Sequence, residues 1–214
     1  MFTMGPPMWG SGDPFSAQVA LLMHMDSGFT DSSLLAQTIT TTGSPTISGS
    51  APAFGSGSGD FTGGAAQYAS ASGASLSPGT GQFTLELQLK PTSLYPGGAG
   101  YYLLWGASPN DIYIYAQFGV AQIYVLGSAF PVPSIVANAW NQITILRDAT
   151  NAKVFIGTTQ VFSAANSNNM GASATINVGH YPSANKGTSF IDEVRLTIGV
   201  ARTPQIQTAP FPNP

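Results

Sequence analysis

The sequence has no cysteine, little charge and no long apolar run, and each absence narrows what the chain can be. Without cysteine there is no disulfide, no zinc-thiolate centre and no thiol nucleophile. Lys and Arg number 6 against 9 Asp and Glu, a formal net charge of -3. Six scattered cations make no basic stripe, so no nucleic-acid partner is expected. No stretch reaches the ~20 consecutive apolar residues that a membrane-spanning helix needs. The opening residues, MFTMGPPMWGSGDPFSAQ, hold no basic stretch and no unbroken apolar run, so no Sec signal peptide is expected there. The expectation is a protein made and assembled in a cytoplasm. Charged residues make up 7% of the chain, against about 25% in a typical soluble domain. Ser, Thr, Asn, Gln and Gly must therefore cover most of the outside. Such a surface resists association poorly and suits a protein packed against neighbours.

What is present reads as β-structure behind an extended arm. Residues 1 to 18 are rich in Pro and Gly, which oppose helix and strand, and in Met and aromatics, which adhere rather than solvate. Phe2, Met4, Met8, Trp9 and Phe15 are the residues of this arm expected to bind a partner. Residues 19 to 214 read as one domain. FTLELQLKP alternates cleanly, with Phe83, Leu85, Leu87 and Leu89 on one face and Thr84, Glu86, Gln88 and Lys90 on the other, a half-buried strand. YYLLWGA, DIYIYAQFG and AQIYVLG follow, rich in aromatic and β-branched residues. WNQITILRD, a turn at residues 149 to 151 and AKVFIGTTQV form an expected hairpin. Residues 41 to 80 are low in complexity, but Phe54, Phe61 and Tyr68 recur at sevenfold spacing. That regularity predicts short strands and tight turns rather than a linker. The fold class expected is all-β: a two-sheet antiparallel jelly-roll sandwich carrying an extended N-terminal arm.

Six segments in order carry a family resemblance: VALLMHMD (19 to 26), FTDSS (29 to 33), FGSGSGDFTGGAAQYAS (54 to 70), GTGQFTLELQLKP (79 to 91), WNQITILRDATNAKVFIG (140 to 157) and SFIDEVRLTIGVART (189 to 203), with the tail APFPNP. Their order resembles the laminin-G-like, concanavalin A-like jelly-roll domains of bacteriophage and bacterial proteins. The resemblance covers residue 19 to the end and implies two face-to-face sheets with adjacent first and last strands. With the arm, it implies a virion structural protein, a capsid decoration or cement protein. Its partners would be the major capsid protein and neighbouring copies of itself, as a homotrimer. The alternative is a lectin-like tail or fibre protein that binds host polysaccharide. No membrane partner is expected.

Asp192, Glu193 and Arg195 stand side by side in an otherwise charge-poor chain. Counted by strict alternation, Asp192 shares the apolar face with Val194 and Leu196, where an unpaired carboxylate is costly. Its expected partners are backbone amides, Arg147 or a cation. The resemblance implies a structural calcium near the last strand, with Asp26 as a second carboxylate. The competing expectation is no cofactor: an amide-bonded Asp192 and an exposed Glu193–Arg195 pair. Catalysis is not expected. The two glutamates, Glu86 and Glu193, make no glucanase-type carboxylate arrangement, and His24 reads as a packed structural histidine. For glycan binding the candidates are Asn110, Asp111 and Tyr113 in one loop and strand, and Tyr181 and Asn185 in another, each pairing a ring with hydroxyl-binding groups.

Overall fold

Alternation of apolar side chains sets the architecture. The computed structural model describes residues 12–214 except 51, 64–65, 96, 98, 108–109 and 180–186. Its strands are β1 (Val19–Met23), β2 (Thr40–Thr42), β3 (Thr46–Ser48), β4 (Ser58–Asp60), β5 (Tyr68–Gly73), β6 (Phe83–Pro91), β7 (Gly100–Ala107), β8 (Asn110–Gln117), β9 (Val120–Val125), β10 (Ser128–Pro131), β11 (Asn141–Arg147), β12 (Asn151–Ile156), β13 (Thr159–Ala165), β14 (Ala174–Gly179) and β15 (Ser189–Ile198). One sheet runs β13-β12-β11-β6-β15-β4-β3, with β1 also paired to β15. The other runs β10-β9-β8-β7-β14-β5-β2. The two antiparallel sheets pack as a sandwich. The first sheet is called A below and the second B.

The core lies between them. From sheet A come Phe83, Leu85, Leu87 and Leu89, with Ile143 and Ile145 of the neighbouring strand. From sheet B come Trp105, Ile112, Ile114, Ile123 and Ile176. Trp105 meets Phe83 edge-on at 4.8 Å, and its indole N–H donates to the Leu76 carbonyl at 2.9 Å. A buried indole needs such a partner, because the bare N–H would forfeit its water bond. Short strands β2 to β5 occupy the low-complexity stretch, as the aromatic spacing predicts, and Phe61 is buried in the core. The hairpin β11–β12 forms where expected, its turn held by Asp148, which accepts the amides of Thr150 and Asn151 at 2.8 Å each.

Two sequence expectations fail at the last strand, for one reason. Glu193 adopts a φ of 51°, and the register of β15 against β6 shifts between Asp192 and Arg195. This β-bulge inserts one residue and reverses the alternation beyond it. Ile191, Val194 and Leu196 therefore face the core, while Asp192 lies opposite Gln88 on the outer face. Asp192 is thus not on the apolar face. Nor do Glu193 and Arg195 pair with each other: Arg195 sits directly opposite Glu86, and Glu193 reaches His24. Arg147 is no partner of Asp192 either. It is buried at the other end of the sheet, donating to the carbonyls of Gly79, Gly81 and Asn168.

Candidate functional site

The outer faces of the two sheets differ in chemistry, and each holds a candidate site. On sheet A the outward residues of β6 and β15 are polar and charged, yet they are covered. The tail, residues 199–214, crosses them without regular secondary structure. Gln207 binds both Gln88 and Gln142, and the amide of Phe211 donates to Glu193 at 2.6 Å. Beneath it lies one ion network. Arg195 donates to Glu86 from Nε at 2.8 Å and from the terminal nitrogen at 2.7 Å. Asp13, at the root of the arm, takes Arg195 at 3.1 Å and Arg202 at 2.9 and 2.7 Å. The Phe211 ring caps the Arg195 guanidinium at 3.7 Å, and Phe15 lies 5.0 Å from that of Arg202. Two carboxylates and two guanidinium groups cancel, so the network is neutral. A cleft of about 500 Å³ runs between residues 12–15 and the tail, lined by Phe15, Ile206, Pro210 and Phe211 among others. Of the arm candidates, Phe2, Met4, Met8 and Trp9 lie outside the described residues. Phe15 rests on its own chain and stays 37% exposed.

The carboxylates suggested for calcium hold a loop instead. Asp192 accepts the amides of Ala53, Phe54 and Glu193 at 2.9, 3.1 and 2.9 Å. Asp26 accepts those of Ser56 and Gly57. Amide hydrogens aimed at carboxylate oxygens suit a bare anion, not the ligand of a cation. The donor set also falls short: no group of three His, Cys, Asp or Glu able to hold a metal occurs among the described residues. The residues present do not fit the implied ion.

Two groups near the bulge tie stability to pH. His24 Nδ1 lies 2.7 Å from Glu193 and its Nε2 2.9 Å from Asn213. The bond to Glu193 raises the imidazole above its usual 6.5. Burial, opposed by the Phe54 amide, pushes Asp192 up to about 7 from 3.8. Both folded values exceed the unfolded ones, so both contributions are complete at low pH and vanish as pH rises through the folded values. Asp13 and Asp148 act oppositely. Asp13 is lowered by its bond to Arg202 against burial, and Asp148 by Lys153. Their contribution is present above about pH 4 and lost below it. The melting temperature is expected to peak near about pH 4 to 4.5, where Asp13 and Asp148 are ionised. From there it should decline to about pH 7 as the Asp192 contribution is lost, and further as the His24 contribution goes. Thermal denaturation across that range checks this, and His24→Ala should flatten the alkaline decline.

Among the described residues no such tail crosses the outer face of sheet B, and that face is aromatic. Tyr101, Tyr113, Tyr115 and Tyr124 are all half-buried there. Tyr113 stands 5.6 Å from Tyr101 and 5.3 Å from Tyr124, and Tyr101 stands 5.6 Å from Tyr115, measured between ring centres. Strand register explains the cluster: Tyr124 pairs with Tyr113, and Tyr101 with Tyr115. Tyr113 is further fixed by its hydroxyl, which donates to Asp111 at 2.6 Å. Gly106, at φ 144°, lets β7 approach this point; a side chain there would come within 2.8 Å of the Asp111 Cα. On the same face β14, β5 and β2 present hydroxyls and an amide: Asn177 pairs with Ser70, and Ser70 with Thr40.

Of the glycan candidates, Tyr113 belongs to this cluster. Asp111 is buried and orients it, and Asn110 is tied to the Asn169 carbonyl at 2.8 Å. Tyr181 and Asn185 lie outside the described residues. Tyr101, Tyr115, Tyr124 and Asn177 were missed by sequence reasoning. The signal for Tyr115 and Tyr124 was present in the alternation of DIYIYAQ and AQIYVLG, which sends each Tyr there to the side opposite the isoleucines.

No family profile and no curated protein matches the chain. Solved structures do. The binding domain of botulinum neurotoxin serotype G aligns with a TM-score of 0.66 at 11% identity, over 86% of this chain and 49% of that one. A structure of botulinum neurotoxin type C, whose cell entry depends on interaction with two ganglioside molecules, gives 0.65 at 11%, over 88% and 50%. Domain 4 of AbnA, an extracellular arabinanase of Geobacillus stearothermophilus solved with arabinotriose, gives 0.64 at 18%, over 87% and 95%. The chain spans about half the length of the neurotoxin structures it matches. At such identities the likeness establishes a shared β-sandwich fold.

Proposed function

We propose that this chain is a glycan-binding module without catalytic activity, and that the ligand lies on the tyrosine face of sheet B. The observation that carries the reading is the cluster of four half-buried tyrosines in mutual ring contact on an outer sheet face. Saccharide rings present flat patches of C–H groups that stack on aromatic faces, and their hydroxyls need convergent polar groups beside the platform. Both elements adjoin here. The fold shared with a domain solved in complex with arabinotriose and with a ganglioside-dependent toxin supports the reading. It takes precedence over the capsid decoration role. A phage origin, a capsid partner, a homotrimer and a virion location rest on the sequence resemblance alone.

Affinity electrophoresis through gels containing single polysaccharides tests the proposal. The chain should be retarded by at least one of linear arabinan, β-glucan or mannan and run freely in a blank gel. Unretarded migration in all of them, and in gels of acidic polysaccharides, would remove the reading.

A further inference from the structure

The tyrosine face has a composition that narrows its ligand. Among the described residues the strands of sheet B carry one formally charged side chain, Asp111. It is 5% exposed and committed to the Tyr113 hydroxyl. Charged strand residues otherwise belong to sheet A, Glu86, Arg147, Asp192 and Arg195 among them. Among the described strand residues, a ligand lying across sheet B therefore meets rings, hydroxyls and amides and no exposed charge.

The outward residues also form a line. Successive register partners across six strands are Tyr124, Tyr113, Leu104, Asn177, Ser70 and Thr40. At the usual ~4.8 Å between strands this row is about 24 Å long. It begins aromatic, passes an aliphatic side chain and ends in an amide and two hydroxyls. Asn177 is the unusual member. It is 8% exposed, yet its carboxamide makes no hydrogen bond among the described residues. Neither its oxygen nor its nitrogen is among the fully buried unpartnered polar atoms, so both are held on a face where a ligand can reach them. Its oxygen accepts and its nitrogen donates, which is the pattern that two neighbouring sugar hydroxyls satisfy.

We infer that the face binds an uncharged, extended saccharide chain running across the strands, stacked on Tyr113 and Tyr124 and anchored through its hydroxyls by Asn177. This rests on the glycan-binding reading and goes further in fixing charge, direction and anchor. An uncharged ligand exchanges no counterions, so its affinity is insensitive to salt, whereas a polyanion on a cationic patch is lost as salt screens it.

The test uses the full chain in affinity gels of arabinan, β-glucan and mannan, with polygalacturonate and polysialic acid as acidic probes, each at about 20 and 500 mM NaCl. The expected result is retardation by a neutral polymer with a dissociation constant that changes less than about twofold between the two salts. Asn177→Ala should weaken that binding by about tenfold or more, since a bidentate polar anchor is lost, with the thermal transition retained. Thr40→Ala should weaken binding of a neutral hexasaccharide and leave a disaccharide unchanged. Preference for an acidic polymer, or a loss of more than about tenfold in high salt, overturns the uncharged assignment while leaving glycan binding standing. Unchanged affinity of Asn177→Ala overturns the anchor. Failure to bind any of the five polymers overturns the glycan reading itself, and this inference with it.

Discussion

Replacing Arg195 by methionine is expected to cost about 3–5 kcal/mol of stability, which for a chain of this size lowers the melting temperature by roughly 6–20 °C. The reason is what the substitution leaves behind. Arg195 is buried opposite Glu86 and bonds it twice, at 2.8 and 2.7 Å. Without it the nearest cation to Glu86 is Arg202, 3.9 Å away. Asp13 keeps Arg202 but loses its second guanidinium. A carboxylate is then left under the tail without its counter-charge, and the desolvation of that charge is the larger part of the loss. Methionine retains much of the side-chain volume, so a cavity is not the main effect. The double variant Arg195→Met with Glu86→Leu removes both charges and should recover most of the stability. A melting temperature within a degree or two of the parent for Arg195→Met alone would contradict the assignment of this network to the staple beneath the tail.

The double substitution Tyr113→Ala with Tyr124→Ala is expected to weaken glycan binding by at least about 100-fold, because central aromatic anchors each contribute about 2 kcal/mol or more at a binding face. Both rings are half-buried neighbours, 5.3 Å apart, so the two losses should not be independent. Tyr124→Phe keeps the stacking surface and should stay within about threefold of the parent, if ring faces rather than phenol hydroxyls hold the sugar. The alanine variants lose only partly buried side chains, so they should still fold, and their thermal transitions separate lost binding from lost structure. Isothermal titration with the retarding polysaccharide reads all of these. Equal affinity for the double variant and the parent would move the ligand elsewhere.

Much of the fold was legible because it depends on local alternation. Phe83, Leu85, Leu87 and Leu89 declare the inward face of β6 within nine residues, and the neighbouring apolar strands follow the same rule. The aromatic spacing at Phe54, Phe61 and Tyr68 marked residues 41 to 80 as structured although their composition is that of a linker. The failures come from features that alternation cannot carry. One inserted residue at Glu193 breaks the count by twos, so Asp192 lies on the outer face although Val194 and Leu196 face the core. Arg195 finds its carboxylates at Glu86 and Asp13, far away in sequence, so the charged trio could not be read from its own segment. The tail over sheet A has no period at all. The tyrosine face is a matter of register: residues 101, 113, 124 and 177 meet only once β7, β8, β9 and β14 are aligned.

These observations divide the molecule's work. Sheet A spends its charges on a neutral network beneath the tail, capped by Phe211 and the root of the arm. Sheet B, nearly free of charge, presents rings and hydroxyls. Hydroxyl-radical footprinting of the chain with and without a retarding neutral polysaccharide tests that division most directly. Protection of Tyr113, Tyr115 and Tyr124, with Phe15 and Phe211 labelled as before, is the predicted result. Protection confined to Phe15, Phe211 and the cleft between them, with the tyrosines unchanged, would contradict it.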